Sequence, residues 1–462
     1  MAPAPTENEA LWGPRYRVTT VGLVLLVTMV AFEAMSVGTA MPTLVAELDG
    51  QELYSWPFTA FLAASVIGTV LSGRLIDSRG TRLSLVGGPV LFGTGLLLSG
   101  AAPTMELLLA GRVLQGLGGG VQIVAVYALI GLVYPDRIRP AVFGVISAAW
   151  VLPALIGPAV AGLLTEHASW RWVFFGLAPF VALGILLLMP LFRTLPRTPA
   201  GGVEVRSADV RRWLFVSAVA AAVGLSALTW AAQHPGLATG VLGVVGLVLL
   251  APALGRLLPP GTLRAARGLP TVVLSRGLLT GAFFGVEAYL PLTLTAVHGT
   301  SPALAGLPLT VGAIGWSSAS AWQGRRPEYP RDRLLRNGYL LLALGLAGTT
   351  VGAVAFLPFW LVLPFWIVAG FGMGLAIPSV SVRLLELSPP ADRGYNSAAL
   401  QIWDMLLSAA CIGFGGVLLV TVASAGAPTP AVVLLNLLMA GLALVGALLA
   451  GRTNPPAPVD KS

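Results

Sequence analysis

The sequence predicts an all-α integral membrane protein with fourteen spans, and three observations carry that prediction. Of 462 residues, 56% are hydrophobic and only 10% charged, with a mean hydropathy of +0.86. A soluble domain carries about 25% charged residues. Lipid cannot hydrogen-bond backbone N–H and C=O groups, so such a chain crosses it as helices or as a closed barrel. The apolar runs are also about 20 residues long, enough for a helix to cross a core of roughly 30 Å. They do not alternate, as barrel strands would. Finally, the arginines collect in alternate loops.

The runs are 18–41, 55–74, 83–101, 106–133, 141–164, 171–192, 213–232, 237–256, 270–296, 302–323, 335–356, 358–382, 393–422 and 429–450. The seventh and eighth are joined by Gln233-His234-Pro235-Gly236, a tight turn. Pro358 divides the eleventh from the twelfth. Met1–Arg17 is polar, and the run after it is too long for the core of a cleavable signal.

Basic residues outnumber acidic ones by 27 to 19. With the N-terminus inside, the inner loops hold Arg74, Arg79 and Arg82; Arg137 and Arg139; Arg193, Arg197, Arg206, Arg211 and Arg212; Arg256, Arg264, Arg267 and Arg276; Arg325, Arg326, Arg331, Arg333 and Arg336; Arg383 and Arg393. Adding Arg15, Arg17, Arg452 and Lys461 at the ends makes 25 of the 27. Arg171 falls outside and Arg112 within a span, while Glu47, Asp49, Glu52, Glu106 and Glu166 lie in outer loops. The positive-inside rule then predicts a multi-pass inner (plasma) membrane protein with both termini cytoplasmic. Twelve spans would leave the apolar 213–256 hairpin outside the membrane. The basic excess reads as topology and contact with membrane lipids, not as a nucleic-acid site.

Other chemistries find no support. Cys411 is alone, so no disulfide forms within the chain. No Walker loop is present. His167, His234 and His298 lie near outer loops without metal spacing. No nucleophile–base pair stands out, so neither an enzyme nor a cofactor is expected.

The chain repeats itself. Ser72–Leu83 and Gln323–Leu334 share glycine, arginine, acid, arginine and leucine at an offset of 251. Gly116-Leu117-Gly118-Gly119-Gly120 meets Gly370-Phe371-Gly372-Met373-Gly374 at an offset of 254. The expected domains are 1–192, a six-helix bundle; 193–267, cytoplasmic linkers and two inserted helices; and 268–462, a second six-helix bundle and tail. Two bundles rocking about a central site is a transporter architecture.

The same residues carry a family likeness. The loop Gly73-x-x-x-Asp77-x-x-Gly80-x-Arg82 resembles the signature between helices 2 and 3 of the major facilitator superfamily, with Ser78 and Thr81 at two usual arginine positions. Arg112-Val113-Leu114-Gln115-Gly116 resembles its R-x-x-x-G element. Pro153-x-x-x-Gly157-Pro158-x-x-Ala161-Gly162 is similar to the antiporter signature, with two glycines replaced. Glu33, nine residues before Pro42, resembles an acidic element of the fourteen-helix drug:proton antiporter branch. Leu290-Pro291, Gly299-x-Ser301 and Ala305-Gly306-Leu307 are similar to that branch too. The resemblance implies the major facilitator fold, alternating access, and proton-driven export of amphipathic drug-like small molecules by a monomer. It also implies that the Gly73–Arg82 loop locks one conformation. Small residues of helix 5 would let helices meet closely and seal against proton leak.

Four ionisable residues fall well inside spans: Glu33, Arg112, Glu287 and Asp404. A charge at the bilayer centre costs about 3 kcal/mol unless paired, hydrated or neutralised. A carboxyl group withdrawn from water takes up a proton more readily, as a proton-coupled carrier requires. Glu33 is the expected proton carrier and Arg112 its counter-charge; Asp404 and Glu287 are expected to bind a cationic substrate or a second proton. A permanent structural hydrogen bond or ion pair is the plainer alternative for each. Asp77 is placed in a cytoplasmic loop near a helix N-terminus, where the dipole favours an acid. Met35, Gln115, Tyr127, Trp150, Phe283, Phe284, Tyr289, Trp316 and Trp403 are candidate pocket residues, although aromatic side chains on helices more often pack than bind. Export of a native lipid or secondary metabolite stays open, as does a non-transporting membrane sensor or assembly protein.

Overall fold

The computed structural model describes residues 11–192, 208–326, 328–389, 392–423 and 428–455. Arg193, Arg197, Arg206 and Lys461 lie outside the described residues. The described chain is helical, without strands. Its long helices are α1 (Arg17–Glu47), α2 (Trp56–Arg79), α3 (Thr81–Gly100), α4 (Met105–Val133), α5 (Arg139–His167), α6 (Ala178–Phe192) and α7 (Ala208–Gln233). They continue as α8 (Leu237–Leu257), α9 (Leu269–Glu287), α10 (Pro302–Gly324), α11 (Arg331–Gly348), α12 (Val362–Leu387), α13 (Arg393–Val422) and α14 (Thr429–Leu449). Among the described residues, thirteen segments are long and apolar enough to cross a membrane. The fourteenth, α10, has the length at 23 residues. Thr310, Ser317, Ser318, Ser320 and Gln323 lower its apolarity. The protein is a multi-pass membrane protein.

Two spans stand but contain a break, and one expectation needs correction. The sixth run is broken: a short helix, Arg171–Phe175, precedes α6. The ninth breaks after Glu287, where Pro291 in the first turn of a new helix, Leu290–His298, lacks the N–H that a continuous helix would need. The region between α2 and α3 is scarcely a loop. Gly73 and Asp77 belong to α2, and Arg82 to α3. The whole reversal falls on Gly80, whose φ of +78° and ψ of 171° suit glycine alone. Exposed Asp77 therefore sits in the last turn of α2, where the helix dipole opposes an acid.

Packing follows one scheme twice. α1 packs on α5 and α6, α4 on α2 and α3, and α3 on α6. Correspondingly, α9 packs on α13 and α14, α12 on α10 and α11, and α11 on α14. Glycines set the closest crossings, because without Cβ atoms the backbones can touch. A Cβ at Gly116 would strike the carbonyl oxygen of Phe61, and one at Gly120 that of Ser65. The matching collisions in the second half are Gly370 with Gly312 and Gly374 with Trp316. Gly88 of α3 faces Gln122 and Gly118 of α4 just as Gly338 of α11 faces Ala376 and Gly372 of α12. The halves meet through α5 against α10 and α2 against α13. α7 lies across the second of these seams, in contact with both α2 and α13, and carries α8 on its outer side.

Candidate functional site

Glu33 is completely buried at the middle of α1, and Arg112 of α4 reaches it as an ion pair. Arg112 also donates from Nε to the Pro57 carbonyl at 2.9 Å and from Nη1 to Gln115, and it stacks over the Phe61 ring at 4.5 Å. Gln115 in turn donates to Gly95 O at 3.0 Å and Ser99 Oγ at 2.9 Å. One arginine thus ties α1, α2 and α4 together, with α3 joined through Gln115. A buried charge needs this many partners to offset its lost hydration. Glu33 is less well served. Its Oε2 has no hydrogen-bond partner among the described residues, and neither do Ser36 Oγ and Thr39 Oγ1 further along α1. Ser36 and Thr39 border the α5–α10 seam. Ser36 lies against Gly157, and Thr39 against Gly306.

The second half treats the same place differently. Arg112 plus 254 is Trp366, and Trp366 stacks on Phe283 of α9 at 4.8 Å. Phe283 and Trp366 thus make an apolar contact where Glu33 and Arg112 make a charged one. Glu287 stands one turn beyond Phe283, partly exposed, with no hydrogen-bond or ion-pair partner among the described residues. It shares a face of α9 with Arg276, Thr280 and Phe284, at spacings of four, four and three.

The two ends of the molecule differ. At the end poor in arginine, the seams are tight. A Cβ at Gly162 of α5 would lie 2.5 Å from Ala303 Cα, and one at Gly306 of α10 3.0 Å from Pro158 O. Gly416 of α13 is pressed against Ser55 and Gln233. Tyr54 donates to Ala288 O at 2.9 Å, Trp56 to Gln233 Oε1 at 2.7 Å, and Gln233 to Ser55 Oγ at 3.1 Å. At the arginine-rich end the glycines of the same four helices have room beside them. Gly73, Gly144, Gly324 and Gly394, one on each, would each accept a Cβ without meeting an atom within 4 Å. The seam contacts are tight at the arginine-poor end.

The expected site residues separate accordingly. Pro153, Gly157, Pro158 and Gly162 are all buried on the face of α5 that meets α1 and α10. Met35 is half-buried beside Gly157. Tyr127 is 41% exposed, its ring tilted against that of Phe143 at 5.9 Å; Trp150 is half-buried. Four candidates are placed elsewhere. Gln115 is wholly engaged around Arg112. Phe283 and Trp366 are buried in an aromatic cluster with half-buried Phe284 and Trp316. Tyr289 is spent on the closed end, donating to Ile412 O at 2.5 Å and lying 5.4 Å from Tyr54. Trp403 donates to Leu274 O at 3.3 Å inside the second bundle.

Sequence reading missed one residue. Arg276, counted among the loop charges, lies within α9 and pairs with Asp404 of α13 at 2.7 Å. Its position inside the run 270–296 was the available signal. Arg171, the exception to the loop rule, is held by Glu47 at 2.6 Å and stacks on Trp170.

The family model of the Major Facilitator Superfamily matches residues 23–410. The chain belongs to this superfamily. Among superfamily relatives, a Mycobacterium tuberculosis protein named as a probable multidrug-efflux transporter is 29% identical over 422 residues, covering 88% of each chain. A multidrug transporter of Bacillus subtilis is 26% identical, over 83% of this chain and 71% of its own. A transporter of the acurin A biosynthesis cluster of Aspergillus aculeatus is 29% identical over 63% of this chain and 54% of its own. The superfamily fold is matched in solved structures. A POT family transporter in complex with 5-aminolevulinic acid superposes with a TM-score of 0.69 at 14% identity, covering 95% of this chain and 97% of the other. A D-xylose-proton symporter gives 0.65 at 19% identity, over 95% and 97%. As a member of a transporter family, the protein acts on small-molecule substrates and is a carrier rather than an enzyme.

Proposed function

We propose that this protein exports amphipathic, drug-like molecules in exchange for protons, by alternating access between bundles 1–192 and 268–462. The observation that carries the reading is the buried Glu33–Arg112 pair. Arg112 keeps the Pro57 carbonyl, Gln115 and the Phe61 ring as partners whether or not Glu33 is ionised. Glu33 can therefore take a proton without stranding a bare cation. Likeness to efflux transporters of M. tuberculosis and B. subtilis supports the drug-like cargo. By the positive-inside rule the arginine-rich end faces the cytoplasm, and the room beside its glycines supports substrate entry there. Unpaired Glu287 and exposed Tyr127 then meet a cationic, partly aromatic substrate. The Gly80 reversal and the inserted pair α7–α8 respectively steer and brace the motion. The protein acts as a monomer in the inner membrane with both termini cytoplasmic.

The deciding experiment is substrate-driven proton flux in proteoliposomes, native chain against Glu33→Gln. Glutamine still accepts from Arg112 but cannot carry a proton, so flux should fall to background while substrate binding persists. Undiminished coupling in the variant would sink the proposal. A second reading, export of a secondary metabolite, is favoured by likeness to the A. aculeatus biosynthesis-cluster transporter. A panel of antimicrobial cations that drives no flux, against one metabolite that does, would select it.

A further inference from the structure

A groove on the outer face of the second bundle carries charges that the transport reading leaves unused. Gly370 and Gly374 of α12 pack on α10, and Gly372 packs on α11. At 100° per residue these contacts leave Phe371 and Leu375 between them, on the side of α12 roughly opposite Trp366 and central α9. That side faces the membrane. Phe371 and Leu375 line a cavity of about 300 Å³, together with Trp322, Tyr329, Arg333 and Asn337. In the first bundle α2 and α3 pack directly on one another, whereas α10 and α11 meet chiefly through α12.

The mouth of the groove is basic. Residues 325–336 hold five arginines against Glu328 and Asp332. Arg331 is engaged by Gln323, and Asp332 by Asn454. Arg326 stacks over Trp322 at 5.0 Å and over Tyr329 at 6.0 Å. Arg333 lines the cavity, is exposed, and has no acidic or aromatic partner among the described residues. An apolar floor at membrane depth under an arginine-rich rim matches one kind of molecule.

We propose that this groove binds an anionic phospholipid, its phosphate held by Arg333 and Arg326 and an acyl chain laid against half-buried Phe371, with buried Leu375 behind it. Lipid is the solvent on this face, which excludes a soluble anion as the resident. The surplus of arginine selects an anionic over a zwitterionic headgroup, at about 1 kcal/mol per basic residue near the surface. The proposal does not depend on what the protein transports.

The test is native mass spectrometry of the full chain in detergent, titrated with phosphatidylglycerol or phosphatidylcholine. Phosphatidylglycerol adducts should form at about thirtyfold lower lipid concentration, as two arginine contacts imply. The Arg326→Gln/Arg333→Gln variant should lose that preference, with an unchanged unfolding temperature. An Arg79→Gln/Arg82→Gln variant, altered at the related place in the first bundle, should keep it. Phe371→Ser should weaken both lipids alike. Equal binding of the two lipids by the native chain overturns the proposal, as does equal loss in the two arginine variants. Displacement of the adduct by inorganic phosphate would assign the site to a soluble anion instead and overturn it as well.

Discussion

The proposed function gives the Arg112–Glu33 pair two tasks, holding helices together and carrying a proton, and variants can separate them. Removing a partner of a buried pair costs about 3–5 kcal/mol because the other charge is left uncompensated. Arg112→Ala strips partners from Glu33, Pro57 and Gln115 at once, so it is expected to lower the unfolding temperature sharply and to remove transport. Glu33→Gln leaves each donor of Arg112 an acceptor, so the fold should survive while proton flux does not. Similar melting curves for these two variants would contradict this division of roles. The Arg276–Asp404 pair, with side chains 17% and 14% exposed, makes a separate test. Asp404→Asn or Arg276→Gln alone should destabilise the α9–α13 contact. The exchange Arg276→Asp/Asp404→Arg should recover much of the loss, measured as monodisperse yield after heating. An exchange no better than either single variant would show that the pair contributes through something other than its charge.

At the scale of the element, glycine decides where helices touch and where they turn. The crossings of α4 on α2 and α3 and of α12 on α10 and α11 are set by backbone contact at Gly116, Gly118, Gly120 and their counterparts Gly370, Gly372 and Gly374. Gly80 carries the α2–α3 reversal alone. Alanine there must adopt a backbone region that costs about 1–3 kcal/mol. Gly80→Ala is therefore expected to slow transport several-fold with little change in substrate affinity. A variant with native turnover would remove Gly80 from the conformational cycle. The resemblance to the superfamily signature pointed to this glycine, but not to the helical state of Asp77. The signature spans a turn of one residue, and residue spacing alone does not reveal how short a loop can be.

Across the whole molecule, the proposed transport cycle requires the arginine-rich side to be the open one when the seam contacts at the other end are made. Tyr127 is 41% exposed, and Thr39 is 1% exposed behind the closed seam. In a Cys411→Ala background, Tyr127→Cys should react rapidly with a membrane-impermeant maleimide applied to the arginine-rich side, and Thr39→Cys should not. Saturating substrate should slow the first reaction if closure of that side follows binding. Equal labelling of the two positions would mean that the seam does not close as the contacts imply.

Much of this architecture was legible without coordinates. Apolar runs of spanning length, arginines in alternate loops and a repeat at offsets of 251 and 254 determine fourteen membrane helices and two related halves, because they depend only on the local cost of placing charge and backbone in lipid. Glu33, Arg112, Glu287 and Asp404 were legible as exceptions for the same reason: each is expensive where it stands. Arg112 was expected as the counter-charge of Glu33, and the two do pair. The other partners were not legible: Asp404 joins Arg276 and Glu287 joins neither, because pairing depends on which helix faces meet, and helices far apart in sequence make those contacts. Tyr289 and Trp403 left the candidate pocket on the same grounds. Composition marks an aromatic side chain as useful, but only the tertiary packing decides whether it closes a gate, fills a core or faces the seam.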